Sequence, residues 1–323
     1  MRPTGRGVAA VPVSCSLAAR MSAEQGDEYM KKAEKKLEGW GIFSNKYEDA
    51  LEYFEKAATQ YKLAKRWRES AAAWDRCAEM QMKTDNPHEA ASSNIEAAVM
   101  LKKCDRGGAA ERYRKAVDHY LGMNRLSMAA KFHKEVGDLC IEGADECMAK
   151  GEDKEAAEMR REALEAYQAA ADLYDTEEQT STSNGLKQKA AELLGEEREY
   201  IQAAELFERV GRDALKSNLL KFGAKDHLFK AGIMALCTGD TVRVGNSIDR
   251  YCGWDPAFDG TRECDLLRDL KDAFDLEDAP LFATKAKEFN DLSRLDPWKT
   301  SMLLRVRQLI DDKEKKAEEE DLL

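Results

Sequence analysis

Cysteine, histidine and carboxylate side chains are the groups in this 323-residue chain that could bind a metal or carry out catalysis. The eight cysteines are scattered and form no Cys-x-x-Cys pair, a pattern that indicates reduced thiols in a cytosolic protein. The four histidines stand apart from one another, so we expect no metal site and no cofactor. The cysteines are Cys15, Cys77, Cys104, Cys140, Cys147, Cys237, Cys252 and Cys264, and the histidines are His88, His119, His133 and His227.

Motifs of common enzymes are missing from the sequence. It contains no G-x-x-x-x-G-K-[ST] phosphate loop, no H-E-x-x-H and no G-x-S-x-G, and carboxylates are too frequent for one pair to stand out as acid and base. The net charge of −11 argues against a nucleic-acid partner. We therefore expect a protein that binds partners and is not an enzyme.

A short pattern of small and bulky side chains recurs along the chain. Its spacings of three, four and seven place each trio on one face of a helix, and the first five trios recur about every 20 residues, roughly one helix and one turn. Small residues let neighbouring helices approach closely while the bulky side chain fills the gap, so each unit buries its face against the next. The trios are Ala50/Phe54/Ala57, Ser70/Trp74/Cys77, Ala91/Ile95/Ala98, Ala109/Tyr113/Ala116, Ala129/Phe132/Val136 and Ala203/Phe207/Val210.

These repeats predict an all-α fold: a twisted, tetratricopeptide-like array of antiparallel helical hairpins, or α-solenoid, capped by a C-terminal helical bundle. The expected domains are a disordered or non-native leader at 1–21, the array at 22–238, the bundle at 239–310 and an acidic mobile tail at 311–323. Helices are expected near 22–38, 47–64, 66–83, 87–103, 107–122, 125–149, 153–175, 184–195, 198–211, 219–237, 262–274, 279–289 and 297–310.

The loop at 39–46, between the first two expected helices, departs from ordinary turn chemistry because it carries Trp40, Ile42 and Phe43. No run of 18 apolar residues exists, so no segment is expected to span a bilayer.

Several sequence blocks resemble the soluble NSF attachment protein family, and its alpha class in particular. The resemblance extends from about residue 33 to residue 322 and implies a cytosolic adaptor, peripherally associated with membranes. Such adaptors bind assembled SNARE complexes and recruit and stimulate the hexameric ATPase NSF, which disassembles those complexes during vesicle trafficking and membrane fusion. The blocks are 219–226 with 229–231, 256–258 with 262–264, 292–296 with Trp298, 302–305 and 320–322.

The resemblance also implies binding residues. An acidic four-helix SNARE bundle needs an extended basic face, and the family places SNARE-contacting cations at Lys103, Arg125 and Lys131. Lys102 lies beside the first of these, and Lys187 and Lys189 lie near Gly185, which occupies a further family position. Several adaptor copies are expected around each bundle.

For NSF, the resemblance implies contacts through Asp272 and Asp275, with Glu277 and Asp278 as neighbours, and through the penultimate Leu322 as the residue that stimulates ATP hydrolysis. Trp40, Ile42 and Phe43 match an apolar loop that makes weak contact with the membrane surface. Two other interpretations stay open from the sequence: a generic tetratricopeptide scaffold that binds peptide tails of client proteins, and the gamma class of the same family.

Overall fold

The computed structural model describes residues 13–38 and 43–321, with side chains described for 17–38 and 46–313. Within these ranges the chain forms fourteen α-helices and no strand, which confirms the all-α helical solenoid class. The chain divides into two compact units, one ending at Leu173 and the other beginning at Tyr174. The helices that begin in the first unit are α1 Val13–Glu38, α2 Phe43–Leu63, α3 Trp67–Lys83, α4 Pro87–Leu101, α5 Arg106–Gly122, α6 Leu126–Lys150 and α7 Asp153–Thr176.

Consecutive helices from α1 to α6 pack against one another through the predicted repeat trios. The small residues of the five trios in this unit are fully buried, and so is Phe54, whereas Trp74 and Ile95 are half-buried. Close packing of small residues thus brings neighbouring helices together, as the spacing predicts.

The turns that follow α2, α3, α5, α6, α7, α8 and α12 share one backbone conformation. Each of these turns contains one residue in the left-handed region, such as Lys65 (φ 58°), Asp85 (φ 58°) and Asn124 (φ 54°). The N–H of the next residue then donates to a carbonyl five residues earlier, as from Arg66 to Tyr61 at 2.9 Å. This arrangement satisfies carbonyls at the helix end and reverses the chain within three residues.

One contact recurs in the first unit. The ring of Tyr167 on α7 lies over Gly137 on α6, so closely that a Cβ at Gly137 would lie 2.7 Å from the ring. Its hydroxyl donates to Asp138 at 2.7 Å. Tyr61 on α2 repeats this arrangement over α1, where its hydroxyl donates to Asp27 at 2.7 Å. A glycine at each position therefore permits the hairpin to close.

The second unit contains the remaining seven helices: α8 Thr180–Glu196, α9 Tyr200–Leu215, α10 Ala224–Cys237, α11 Thr241–Trp254, α12 Arg262–Asp275, α13 Ala279–Leu292 and α14 Pro297–Asp321. Short 3₁₀ turns at Lys221–Gly223 and Phe258–Gly260 precede α10 and α12. The predicted boundary at residue 238 falls inside this unit because α11, α12 and α14 all pack on α10.

Two side chains of α14 fasten it to α8. Trp298 donates from Nε1 to the carbonyl of Glu192 at 3.1 Å, and Arg305 donates from Nη1 to the carbonyls of Gly195 and Glu196 at 3.0 Å each. The carbonyls of Gly195 and Glu196 end α8, so the Arg305 guanidinium adds hydrogen bonds at this helix terminus and complements the helix dipole. The blocks at 298 and 302–305 therefore have a structural role in holding α14.

The largest differences from the expected helices concern α1, α14 and α11; smaller ones concern α2, α8 and α10, which begin at Phe43, Thr180 and Ala224. α1 begins at Val13 and not near residue 22, since residues 13–21 contain neither proline nor glycine; only residues 1–12 of the expected leader lie outside the described residues. α14 continues to Asp321 and not to residue 310, because the lysines, glutamates and alanine of the tail favour a helix. Its first tail turn is supported by the pair between Arg307 and Asp311 at 3.9 Å.

The third difference is α11, which the sequence analysis did not predict. Its glycines, Gly245 and Gly253, lower helix propensity, but Val244, Ile248 and Tyr251 are buried at helical spacing. Packing of this apolar stripe outweighs the local propensity.

Candidate partner-binding surfaces

The first candidate surface is basic and lies at the connector between α4 and α5. Lys102 and Lys103 directly follow the last residue of α4, and both are exposed. Lys102 Nζ lies 3.2 Å from Glu135 Oε2 on α6, whereas Lys103 makes no ion pair among the described residues. The charge of Lys102 is therefore partly neutralised, whereas Lys103 is available to pair with a partner protein.

α6 carries the other predicted cations of this surface. Arg125 precedes its first residue and is exposed, with no ion pair in the described part of the chain. Lys131 is exposed, and its ammonium lies 5.4 Å from the centre of the Phe132 ring. Because Lys131 and Glu135 are four residues apart on one helix, they share a face, and the bond from Lys102 to Glu135 brings Lys102 to the same face. We call Lys102, Lys103, Arg125 and Lys131 the basic face.

Lys187 differs from the other predicted cations because it is only 5% exposed. Its Nζ lies 2.6 Å from Asp175 Oδ2. Burial would raise the pKa of Asp175, but hydrogen bonds from Lys187 and Ser183 outweigh it and lower that pKa below its ordinary value. Lys187 is thus occupied within the fold, which argues against a direct partner contact. Lys189, by contrast, is exposed on α8.

The second candidate surface is acidic and lies at the end of α12. Asp272 is 72% exposed, and Asp275 is 42% exposed with its Oδ2 2.7 Å from Lys271 Nζ. The hydrogen bond from Lys271 lowers the pKa of Asp275. Asp275 is therefore ionised at neutral pH, and Asp272 is the more accessible of the two carboxylates.

The turn after α12 adds a feature that the sequence analysis did not identify. Leu276 is 70% exposed among these carboxylates, followed by Glu277 in the left-handed region at φ 53°. Asp278 caps α13 by accepting from the N–H of Leu281 at 2.7 Å, so its side chain serves the helix terminus. An exposed leucine beside Asp272 and Asp275 resembles the apolar centre and charged rim of a protein interface. We call Asp272, Asp275, Leu276 and Glu277 the acidic patch.

The predicted membrane loop is only partly covered by the structure. Trp40 and Ile42 lie outside the described residues, and Phe43 begins α2 without a described side chain. The two helices flanking the loop are joined by Lys36, whose Nζ lies 2.8 Å from Asp49 Oδ2. Leu322, the predicted stimulatory residue, also lies outside the described residues.

No helix in the described parts of the chain combines the length and apolarity that a bilayer crossing requires.

Comparison with known proteins gives a consistent result along the chain. The family model described as "Soluble NSF attachment protein, SNAP" matches residues 24–311. The alpha-soluble NSF attachment protein of Vitis vinifera is 39% identical over 93% of this chain and 98% of that protein. A probable vesicular-fusion protein sec17 homolog of Schizosaccharomyces pombe is 34% identical over 89% of this chain and 97% of that protein. The alpha-soluble NSF attachment protein of Mus musculus is 31% identical over 87% of this chain and 90% of that protein.

Proposed function

This chain belongs to the soluble NSF attachment protein family, and on that premise we propose that the basic face and the acidic patch are its contact sites for SNARE complexes and for NSF. As a member of the alpha class, the protein is an adaptor and not an enzyme. It binds assembled SNARE complexes and recruits and stimulates the ATPase NSF for their disassembly. The observation that carries this function is the match to alpha-class relatives over nearly their full lengths, which also disfavours a generic peptide-tail scaffold.

The basic face suits the acidic surface of a SNARE bundle. Lys103 and Arg125 offer charges that no acidic side chain in the described residues neutralises, and Lys131 adds an exposed charge on α6. Exposed complementary charges accelerate encounter and tolerate different SNARE sequences, which suits an adaptor that serves several complexes. Lys189 is a secondary candidate, and Lys187 is left out because it is buried.

The acidic patch suits a basic surface on NSF. Asp272 and Glu277 supply accessible charge, and Leu276 supplies apolar area that leaves water when the partner docks. Leu322 then acts as a second, apolar contact that stimulates ATP hydrolysis after recruitment.

The membrane contact completes the proposal. Trp40, Ile42 and Phe43 insert weakly into the headgroup region and hold the cytoplasmic adaptor peripherally on the membrane, with several copies around each SNARE bundle. Replacing all three by serine should impair disassembly on liposomes and spare disassembly of soluble bundles. Equal loss on both substrates would show that the three side chains serve the fold.

Charge reversal tests the basic face. Lys103→Glu, Arg125→Glu and Lys131→Glu together should weaken binding to a soluble SNARE bundle by roughly tenfold or more at low salt, and the loss should shrink as salt rises. The matched control reverses Lys31, Lys62 and Arg68, which are exposed cations outside the face, and should change affinity far less. Equal effects of the two triple variants would contradict the proposal.

A further inference from the structure

Two cysteine thiols approach each other in the second unit, although they are 12 residues apart in the chain. Cys252 lies in the last turn of α11 and Cys264 in the first turns of α12, with the Sγ atoms 3.9 Å apart. The sulfur atoms of a disulfide lie about 2 Å apart, so a bond requires the two Sγ atoms to approach by about 2 Å. The scattered sequence positions concealed this pairing, which the 3₁₀ turn at Phe258–Gly260 produces by folding α12 back on α11.

The surroundings of the two thiols give them different roles. Cys252 is half-buried, whereas Cys264 is fully buried. The Nη2 atom of Arg268 lies 3.9 Å from Cys252 Sγ, and the same guanidinium pairs with Asp259. A cation next to a thiol favours its thiolate form, and solvent can reach Cys252 but not Cys264. Cys252 is therefore the thiol that an external reagent meets first.

The pKa values of the two thiols also indicate that Cys252 reacts before Cys264. Burial raises the pKa of both thiols, and it raises that of Cys264 to about 12. At Cys252, the contact with Cys264 and the Arg268 guanidinium lower the pKa, whereas the Asp259 carboxylate, 3.7 Å from the sulfur, raises it, so that the pKa of Cys252 stays above its ordinary value. The attack on an external disulfide thus begins from Cys252, and Cys264 acts afterwards.

We propose that Cys252 and Cys264 form a redox-active dithiol, which a low-molecular-weight disulfide such as oxidised glutathione converts into an intramolecular disulfide between α11 and α12. In the first step the Cys252 thiolate attacks one sulfur of the glutathione disulfide, and the other glutathione leaves as a thiolate and takes up a proton. In the second step Cys264 loses its proton and attacks the Cys252 sulfur, which expels the second glutathione. The protein loses two hydrogen atoms, and one oxidised glutathione becomes two reduced molecules.

A metal site is the competing interpretation of these side chains. One ligand atom each from Cys252, Asp259 and Cys264 lies within 4.8 Å of the others, and such a set suits zinc with water as a fourth ligand. However, Arg268 pairs with Asp259 and also contacts Cys252 Sγ, so a divalent cation would have to displace a positive charge from the site. The arrangement favours thiol–disulfide exchange over metal binding.

The test uses the full chain in glutathione buffers of increasing oxidised fraction, followed by alkylation of free thiols, trypsin digestion and mass spectrometry. The expected product is a disulfide-linked pair of the tryptic peptides 251–262 and 263–268, lighter than their sum by two hydrogen atoms. Exposed Cys104 is the internal control and should carry only a glutathione adduct. Absence of the linked pair under conditions that modify Cys104 would overturn the proposal, as would one equivalent of bound zinc that alkylation releases.

Single variants test the order of steps. In Cys264→Ser the reaction should stop at a glutathione adduct on Cys252. In Cys252→Ser the thiol of Cys264 should stay unmodified because it is buried. Arg268→Gln should slow the first step by roughly threefold to tenfold, and Arg268→Lys should restore much of the rate. Circular dichroism equal to that of the parent protein confirms that each variant is folded. Equal adduct formation by the two serine variants would contradict the assigned order.

Discussion

The ion pair between Lys102 and Glu135 allows a test in which the basic face should gain affinity. Glu135→Gln preserves the size of the side chain and removes its charge. Lys102 then has no acidic partner on α6, and the face becomes more positive by one charge. If an acidic SNARE bundle docks here, the variant should bind it more tightly.

The size of the gain follows from the geometry of the pair. Lys102 Nζ and Glu135 Oε2 are 3.2 Å apart, and the side chains are 34% and 29% exposed. An ion pair at the surface contributes about 0.2–1 kcal/mol of stabilising free energy. The parent protein loses this contribution when Lys102 leaves Glu135 to contact a partner. The Glu135 carboxylate also repels an acidic partner by a similar amount. The combined gain is about 1 kcal/mol, or about fivefold in Kd.

The assay is equilibrium binding to a soluble SNARE bundle at low and high salt. Glu52→Gln is the matched control, because it changes the net charge equally and frees Lys56 of a similar pair on α2. Glu135→Gln should bind about fivefold more tightly at low salt, and the gain should diminish as salt screens the charges. An unchanged Kd, or an equal gain in Glu52→Gln, would refute the assignment of the basic face.

Three further predictions concern other parts of the chain. Since the pKa of Asp175 is depressed, its pairing with Lys187 contributes stability above about pH 4 that is lost as the pH falls further, and Asp175→Asn should abolish this pH dependence. Measured by urea titration at pH 7, Asp175→Asn should lose about 1–3 kcal/mol of unfolding free energy, whereas Lys187→Met should lose under about 1 kcal/mol. A larger loss in Lys187→Met than in Asp175→Asn would contradict the buried pair. Leu322→Ala should retain NSF recruitment in pull-downs but slow ATP hydrolysis, and unchanged hydrolysis would exclude its stimulatory role. Gly137→Ala should lower the free energy of unfolding by about 1–3 kcal/mol, because the added Cβ meets the ring of Tyr167. Gly185→Ala, whose added Cβ meets open space, should leave stability unchanged or raise it. Similar melting temperatures of the two variants would contradict the packing of Tyr167 on Gly137.

The helices that the sequence predicts well are those whose buried stripes contain alanine and aromatic residues at clear helical spacing. α3, for example, was expected at 66–83 and spans Trp67–Lys83. α11 was missed because its glycines lower helix propensity, and only tertiary packing of Val244, Ile248 and Tyr251 reveals why it forms. Local propensity is a weak guide where packing decides the structure.

The candidate sites show a similar limit. The sequence identifies cations and carboxylates but not their partners, so it could not distinguish exposed Lys103 from buried Lys187. Nor could it show that Leu276 is exposed among acidic residues or that Cys252 and Cys264 approach each other. These properties depend on contacts between residues that are distant in the chain, which a single sequence does not contain.

The most direct test of the account is reconstituted disassembly of a fluorescently labelled SNARE complex with NSF, ATP and this protein. We predict disassembly that requires the protein, rises with its concentration, and is strongly reduced by the combined reversal of Lys103, Arg125 and Lys131. Intact SNARE complexes in the full mixture, or disassembly at the same rate without the protein, would contradict the account.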